Sequence, residues 1–326
     1  MPRWAIGVDL GGSKILTAVV SEDGRVAARE RVSTPQEGPD SVVTAVEQTV
    51  ERVLSAARLS VTDIVGIGVG APGPLNPETG MVFEPPNLKG WHDVPFGTLL
   101  AARVGVGAFL ENDADAAALG EWRFGAGRGV DDLVYITVST GIGGGIIIRG
   151  ELLQGVSGTA GEVGHMTIDI NGPRCVCGNT GCLEVLAAGP AIARSAQEAV
   201  RAGRRTTLRA RAGGEITNIT ARVVAEAAAA GDEVAAEVFH RAATYVGVGV
   251  ANLLNLLNPA LVILGGGVSN AGALLLDTVA EVARARAFEQ PARDARIVLT
   301  ALGDDVGAVG AAVVAFMRTS GLGIRD

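Results

Sequence analysis

The stretch DLGGSK, residues 9–14, follows a run in which Trp4, Ile6 and Val8 alternate with other residues. Alternation of this kind marks a strand. Two adjacent glycines at its end let backbone N–H groups come close to a phosphate. The usual P-loop, GxxxxGK[ST], has Lys directly after its second Gly and Ser or Thr after the Lys. Here Ser13 precedes Lys14, so the loop is of another kind. Ile15 to Val20 reads as a returning strand and Arg25 to Val32 as a third, joined by Ser21-Glu-Asp-Gly24.

The unit recurs downstream. Leu133 to Val138 reads as a strand, STGIGGG at 139–145 as a glycine loop and Ile146 to Arg149 as a second strand. The repeat is one of pattern, not of identity. Two such loops facing each other would form a cleft that grips a polyphosphate from both sides. With 326 residues, two domains are expected.

Between and beyond the loops the apolar periodicity sets the remaining elements. Val42, Val43, Val46, Val50, Val53, Leu54 and Ala57 form one helical stripe over 40–59. A strand over 64–69, a Pro/Gly/Asn loop over 71–90, a short helix over 96–104, a strand over 106–110 and a helix over 114–124 follow. Helices dominate 183–257 and stop at Asn258-Pro259. Leu261 to Leu264 is a buried strand ending in Gly265, Gly266 and Gly267. A helix near 270–287, a strand at 296–300 and a small-residue helix at 306–318 close the chain.

Bulk properties narrow the function. A net charge of −8 disfavours nucleic acid or an anionic membrane as partner through bulk charge. No charge-free apolar run of about 18 residues is present, so no membrane span is expected. Asp9 interrupts any signal-like run, and a cytoplasmic enzyme is expected. GVGAPG at 68–73 fits GxGxxG, but Pro72, Pro74 and Pro77 follow where a dinucleotide site needs a helix. Its glycines are expected to let backbone approach a ligand.

CVCGNTGC at 175–182 places Cys175, Cys177 and Cys182 on one glycine-containing knuckle. Three thiolates in that spacing suit a tetrahedral metal, and His165, ten residues upstream, is the nearest fourth ligand. A closed Cys3His site is structural zinc, not catalytic zinc. Glu162 and Glu184 flank it, and two carboxylates beside an imidazole suit a ligand rich in hydroxyls. If zinc takes one ring nitrogen of His165, the other can contact that ligand.

In combination these motifs resemble the ROK family of sugar kinases and repressors, within the actin and hexokinase superfamily, and most of all its bacterial glucokinases. The matching pieces are DLGGSK (9–14), GAPGP (70–74), PPNLKGW (85–91), END (111–113), STGIGGG (139–145), GEVGH (161–165), CVCGNTGCLE (175–184) and LGGG (264–267). The resemblance implies a two-domain α/β actin-like ATPase fold with a nucleotide and sugar cleft between the domains. The first domain would be 1–113 with the C-terminal helix and tail, 305–326, and the second 114–304 with the knuckle.

The resemblance also implies roles. Asp9, Gly11, Gly12, Ser13, Lys14, Thr140, Gly141 and Gly143 would hold ATP phosphates, Asp9 through Mg2+. Gly265 and Gly266 would let the nucleotide lie against backbone. Asn112, Asp113, Glu162, His165 and Glu184 would bind sugar hydroxyls, with Asn87 and the Gly73 backbone adding contacts. Asp113 would be the general base in phosphorylation of glucose at its 6-hydroxyl, and zinc on His165, Cys175, Cys177 and Cys182 would shape the sugar pocket. A homodimer or homotetramer is implied as well.

Taken alone, Asp113 would read as the N-cap of helix 114–124. A kinase for another hexose, such as N-acetylglucosamine, N-acetylmannosamine, mannose or fructose, shares the same residue set. An actin-type scaffold ATPase would not need the Glu/His/Cys knuckle. A sugar-sensing repressor would need a DNA-reading element, and only eight residues precede Asp9. Polyphosphate as donor would call for a basic run.

Overall fold

The structure, a computed structural model, describes residues 2–320. In the first part of the chain lie β1 (Trp4–Leu10), β2 (Lys14–Ser21), β3 (Val26–Ser33), α1 (Pro39–Ala57), β4 (Ile64–Ala71), β5 (Leu75–Asn76), β6 (Met81–Val82), α2 (Phe96–Val104), β7 (Ala108–Asn112) and α3 (Asp113–Phe124). There follow β8 (Leu133–Val138), β9 (Ile142–Ile148), β10 (Glu151–Leu152), α4 (Leu183–Ala187), α5 (Gly189–Arg201), α6 (Leu208–Arg211), α7 (Ala221–Ala229) and α8 (Glu233–Leu257). The last elements are β11 (Leu261–Gly265), α9 (Ala273–Arg286), α10 (Glu289–Asp294), β12 (Arg296–Leu299) and α11 (Val306–Thr319). Among the described residues no helix is long and apolar enough to cross a membrane.

Two five-stranded sheets repeat one plan. Their orders are β3-β2-β1-β4-β7 and β10-β9-β8-β11-β12. In the first, β1 pairs antiparallel with β2 and β2 with β3, while β4 runs parallel to β1 and β7 parallel to β4. In the second, β10 is antiparallel to β9, while β11 runs parallel to β8 and β12 parallel to β11. The pattern repeat in the sequence is therefore a topological repeat.

The chain divides into two compact units. Unit 1 is Met1–Asp131, Gly145–Gly161 and Ala301–Asp326; unit 2 is Asp132–Gly144 and Glu162–Thr300. Met1 and 321–326 lie outside the described residues. The expected break at Asp113 and this division differ. α3 lies with unit 1, because its Gly120 abuts Gly310 of α11: a Cβ on Gly120 would sit 2.9 Å from Gly310 Cα.

Period-two patterning builds unit 1. Ile6, Val8 and Leu10 of β1 face one core, with Val43, Val46 and Val50 of α1 and Leu100 of α2. The alternate residues are small, and α11 seats on them. A Cβ at Gly7 would lie 1.8 Å from the Ala308 carbonyl oxygen, and one at Gly68 would lie 1.7 Å from that of Ala311. Gly70 abuts α3: a Cβ there would sit 3.2 Å from Ala116 Cβ and 3.5 Å from Asp113 Cα. Gly68 and Gly70 thus admit helices, not a ligand as the sequence suggested, whereas Gly73 meets no helix backbone. After β4 the chain enters the β5–β6 hairpin rather than a helix.

In unit 2 every residue of β11 is buried. Helix α8 packs through small residues, since a Cβ at Gly247 would lie 2.7 Å from Val282 Cβ and one at Gly249 would lie 2.8 Å from Leu183 Cδ2.

Candidate active site residues in the two units

In unit 1 the DLGGSK loop is a tight hairpin turn. Leu10 pairs with Ile15, and the Gly11 N–H donates to the Lys14 carbonyl at 2.9 Å. Thr34 Oγ1 donates to the Gly11 carbonyl at 2.6 Å, and Gln36 Nε2 to that of Gly12 at 3.1 Å. A Cβ at Gly12 would lie 2.5 Å from the Asn87 carbonyl oxygen, so glycine there lets the PPNLKGW segment rest on the turn. Ser13 and Lys14 are exposed. Asp9 closes β1 against α11, where a Cβ at Gly307 would sit 2.7 Å from its Cγ. Burial pushes the Asp9 carboxyl up, with Lys14 and Arg31 pulling the other way.

The END segment is a strand-to-helix junction. β7 runs through Asn112, two residues further than expected, and α3 begins at Asp113. The N-cap is Asn112, not Asp113: Asn112 Oδ1 accepts from the Ala114 N–H at 2.9 Å and the Asp115 N–H at 3.3 Å. Asn112 has the extended φ/ψ that a cap requires, whereas Asp113 is already helical. Asp113 Oδ1 also accepts from the Ala114 N–H, at 2.8 Å. The structure thus brings Asn112 and Asp113 together, half-buried, with Gly73 close by: a Cβ on Gly73 would be 3.8 Å from Asn112 Nδ2.

Glu111, whose burial no local pattern in the sequence signals, lies beneath this junction and is 1% exposed. Its Oε1 accepts from the Asn112 N–H at 3.0 Å, and its Oε2 from Gln154 Nε2 at 3.0 Å. Burial pushes its carboxyl up to about 7, against the lowering effects of the Asn112 N–H, Arg318 and Gln154. Glu121, fully buried, accepts from the backbone N–H groups of Ala126, Ala301 and Leu302 and so fixes the entry to α11. A carboxylate inside a helical pattern was the only sequence signal for it.

In unit 2 the STGIGGG loop is shorter than the sequence suggested. The turn is Ser139–Gly141, closed by the Ser139 N–H donating to the Gly141 carbonyl at 2.8 Å. Gly143 lies within β9, which starts at Ile142 instead of Ile146; glycines hid the strand from its propensity. Thr140 is exposed. Gly266, at φ 82°, lies against β8: a Cβ there would sit 2.5 Å from the Val138 carbonyl oxygen. Gly265 and Gly266 therefore adjoin the 139–141 turn.

The knuckle assembles as a ligand set. The donor atoms of His165, Cys175, Cys177 and Cys182 lie within 4.8 Å of one another. Cys177 Sγ is 3.7 Å from Cys182 Sγ, and Cys175 Sγ is 3.7 Å from His165 Nδ1. Zn–S bonds of about 2.3 Å and Zn–N bonds of about 2.0–2.1 Å at tetrahedral angles give edges of about 3.8 and 3.6 Å. The spacing fits a zinc ion and is far too long for a disulfide. Burial, with the neighbouring thiols, pushes Cys182 up to about 12, whereas the Asn179 backbone and Cys175 pull the exposed Cys177 down. The other ring nitrogen, His165 Nε2, is 3.8 Å from Glu162 Oε2. Glu184, half-buried at the start of α4, accepts from the Ile142 N–H through Oε2 at 2.9 Å.

The repeated sheet plan, each with a glycine turn between its first two strands, defines an α/β fold of the actin-like ATPase kind. The chain belongs to the ROK family, whose model matches residues 5–317. A glucokinase of Halalkalibacterium halodurans is 39% identical over 310 residues, 94% of this chain and 93% of that protein. The crystal structure of a ROK family glucokinase from Streptomyces griseus in complex with glucose and AMPPNP superposes with a TM-score of 0.86 at 37% identity, covering 96% of this chain and 99% of that one. A ROK family transcriptional regulator superposes with a TM-score of 0.85 at 28% identity, covering 99% of this chain and 80% of that one.

The Glu111 geometry generates a stability prediction. Its folded-state pKa of about 7 lies above its ordinary value of 4.5. The folded protein therefore holds a proton that the unfolded chain releases, and this contribution is fully present below 4.5 and lost as pH rises through 7. Melting temperatures of the wild type and Glu111→Gln, followed from about pH 5 to about pH 8, are expected to diverge in favour of the variant as pH rises. Parallel curves would contradict the buried-carboxylate assignment.

Proposed function

We propose that the protein is an ATP-dependent glucokinase that transfers the γ-phosphoryl group of ATP to the 6-hydroxyl of glucose. The observation that carries this reading is Asp113 at the first position of α3, its carboxylate fixed by the Ala114 N–H while Asn112 takes the cap. Full-length similarity to proteins named glucokinase supports it. A regulator of the same fold means that fold alone does not carry catalysis.

The proposed chemistry needs an aligned alcohol, charge neutralisation and an acceptor for one proton. Asp113 takes the proton of the 6-hydroxyl as its oxygen bonds to the γ-phosphorus and the bond to the ADP oxygen breaks. Asn87, Asn112, the Gly73 backbone, Glu162, His165 through Nε2, and Glu184 bind the sugar. Gly11, Gly12, Ser13 and Lys14 in unit 1, and Thr140, Gly141, Gly143, Gly265 and Gly266 in unit 2, bind the nucleotide. Asp9, a desolvated carboxylate beside the first turn, would hold Mg2+, whose charge neutralises the phosphates. Zinc on His165 Nδ1 and the three thiolates would tie 163–165 to the knuckle and orient the imidazole.

Two measurements test the reading. With Mg-ATP, kcat/KM is expected to be highest for glucose among glucose, mannose, fructose, N-acetylglucosamine and N-acetylmannosamine. A higher value for any other sugar would overturn the substrate assignment. Elemental analysis of the purified protein is expected to find zinc at one per chain, with Cys177→Ser losing metal and raising the glucose KM. Metal-free protein with an unaltered glucose KM would sink the zinc assignment.

A further inference from the structure

The Glu184 carboxylate reaches the glycine turn of unit 2 as well as flanking the knuckle. Its Oε2 accepts from the Ile142 N–H at 2.9 Å. A Cβ added to Gly141 would meet that same oxygen at 2.5 Å. At the other end of the turn, the Gly189 N–H donates to the Ser139 carbonyl at 2.8 Å. Gly189 opens α5, just after the short helix that carries Glu184. The turn 139–142 is thus tied at both ends to one segment, 184–189. No hydrogen bond reaches Glu184 Oε1 among the described residues.

We propose that Glu184 is shared between the two substrates: Oε1 receives a sugar hydroxyl while Oε2 sets the 139–142 turn that takes nucleotide phosphate. The inference rests on the glucose and ATP reading above and adds a coupling to it. Carboxylate-to-amide hydrogen bonds are charge-assisted and directional, so the carboxylate and the turn backbone move as one body. A sugar hydroxyl that orders Oε1 orders the turn, and phosphate that orders the turn orders Oε1. Linkage makes the effect reciprocal in binding. The contact also explains a residue choice. Gly141 does not adopt a positive φ, so the group that a side chain there would displace is the Glu184 carboxylate.

Equilibrium binding separates this coupling from a sugar role alone. The probes are Mg-AMPPNP without sugar and glucose without nucleotide. Glu184→Ala is expected to weaken both, each by about tenfold, the size of one lost charge-assisted hydrogen bond. Glu184→Gln, whose amide oxygen still accepts from Ile142, is expected to recover AMPPNP affinity but not glucose affinity. Glu162→Ala, at a residue with no hydrogen bond to the turn among the described residues, is expected to lose glucose affinity alone. Gly141→Ala meets only the flexible end of Glu184 and is expected to weaken nucleotide-free glucose binding. It therefore tests the coupling even if Glu184→Ala fails to fold. Wild-type AMPPNP affinity in Glu184→Ala, or wild-type glucose affinity in Gly141→Ala, would overturn the coupling while leaving the kinase reading intact. Unchanged glucose affinity in Glu184→Ala and Glu162→Ala alike would overturn the sugar reading and the coupling with it.

Discussion

Unit 1 depends on one steric constraint: the small-residue face of β1 and β4 must admit a helix backbone. Gly7 and Gly68 meet carbonyl oxygens of α11 at distances that leave no room for a Cβ. Gly310 does the same in the other direction, its added Cβ falling 1.7 Å from the Ala116 carbonyl oxygen of α3. Packing this close leaves α11, α3 and the sheet little freedom to slide, since interiors at this density transmit rather than absorb displacement. Asp9, next to last in β1, lies against Gly307 of α11, and Asp113 begins α3. Both carboxylates therefore take their positions from contacts made by glycines several residues away. Overpacking such a contact with even a methyl group costs about 1–3 kcal/mol where the backbone can yield, and here the obstacle is backbone on both sides.

Around the Asn112–Asp113 junction the roles divide by chemistry. Asn112 takes the cap, which satisfies helix N–H groups that would otherwise lack partners. Asp113, the first helical residue, accepts from the Ala114 N–H alongside that cap and is the base in the proposed reaction. Glu111 holds the Asn112 N–H from below, inside the core. In unit 2 the division is similar. His165 Nδ1 faces Cys175 Sγ of the knuckle and Nε2 lies toward Glu162, while Glu184 reaches the glycine turn. In each unit a carboxylate fixes backbone: Glu111 holds the Asn112 N–H and Glu184 the Ile142 N–H.

The hairpin-with-glycine-turn pattern is legible in the sequence because alternation and paired glycines are local signals, and the topology follows from using it twice. The Cys3His set is legible because three thiols in an eight-residue window are too close together for a disulfide framework and well spaced for one metal ion. The start of β9 is not legible, since glycines carry no strand propensity. The cap is ambiguous in sequence because Asn and Asp are equally good caps, and only φ/ψ distinguishes Asn112 from Asp113. The glycines at 68 and 70 look ligand-facing because the sequence does not reveal which face of a strand a distant helix will cover. Glu111 and Glu121 stay hidden for the same reason: burial of a carboxylate is a tertiary fact.

The proposed reaction turns on Asp113 as the base in phosphoryl transfer to glucose. The most direct test is steady-state turnover of Asp113→Ala with Mg-ATP and glucose, measured beside equilibrium glucose binding. With Asp113 as base, kcat is expected to fall by about 10²–10⁴-fold, the usual worth of a positioned base. Glucose affinity should fall by less than about tenfold, as one lost contact among several. A kcat equal to that of the wild type would contradict it.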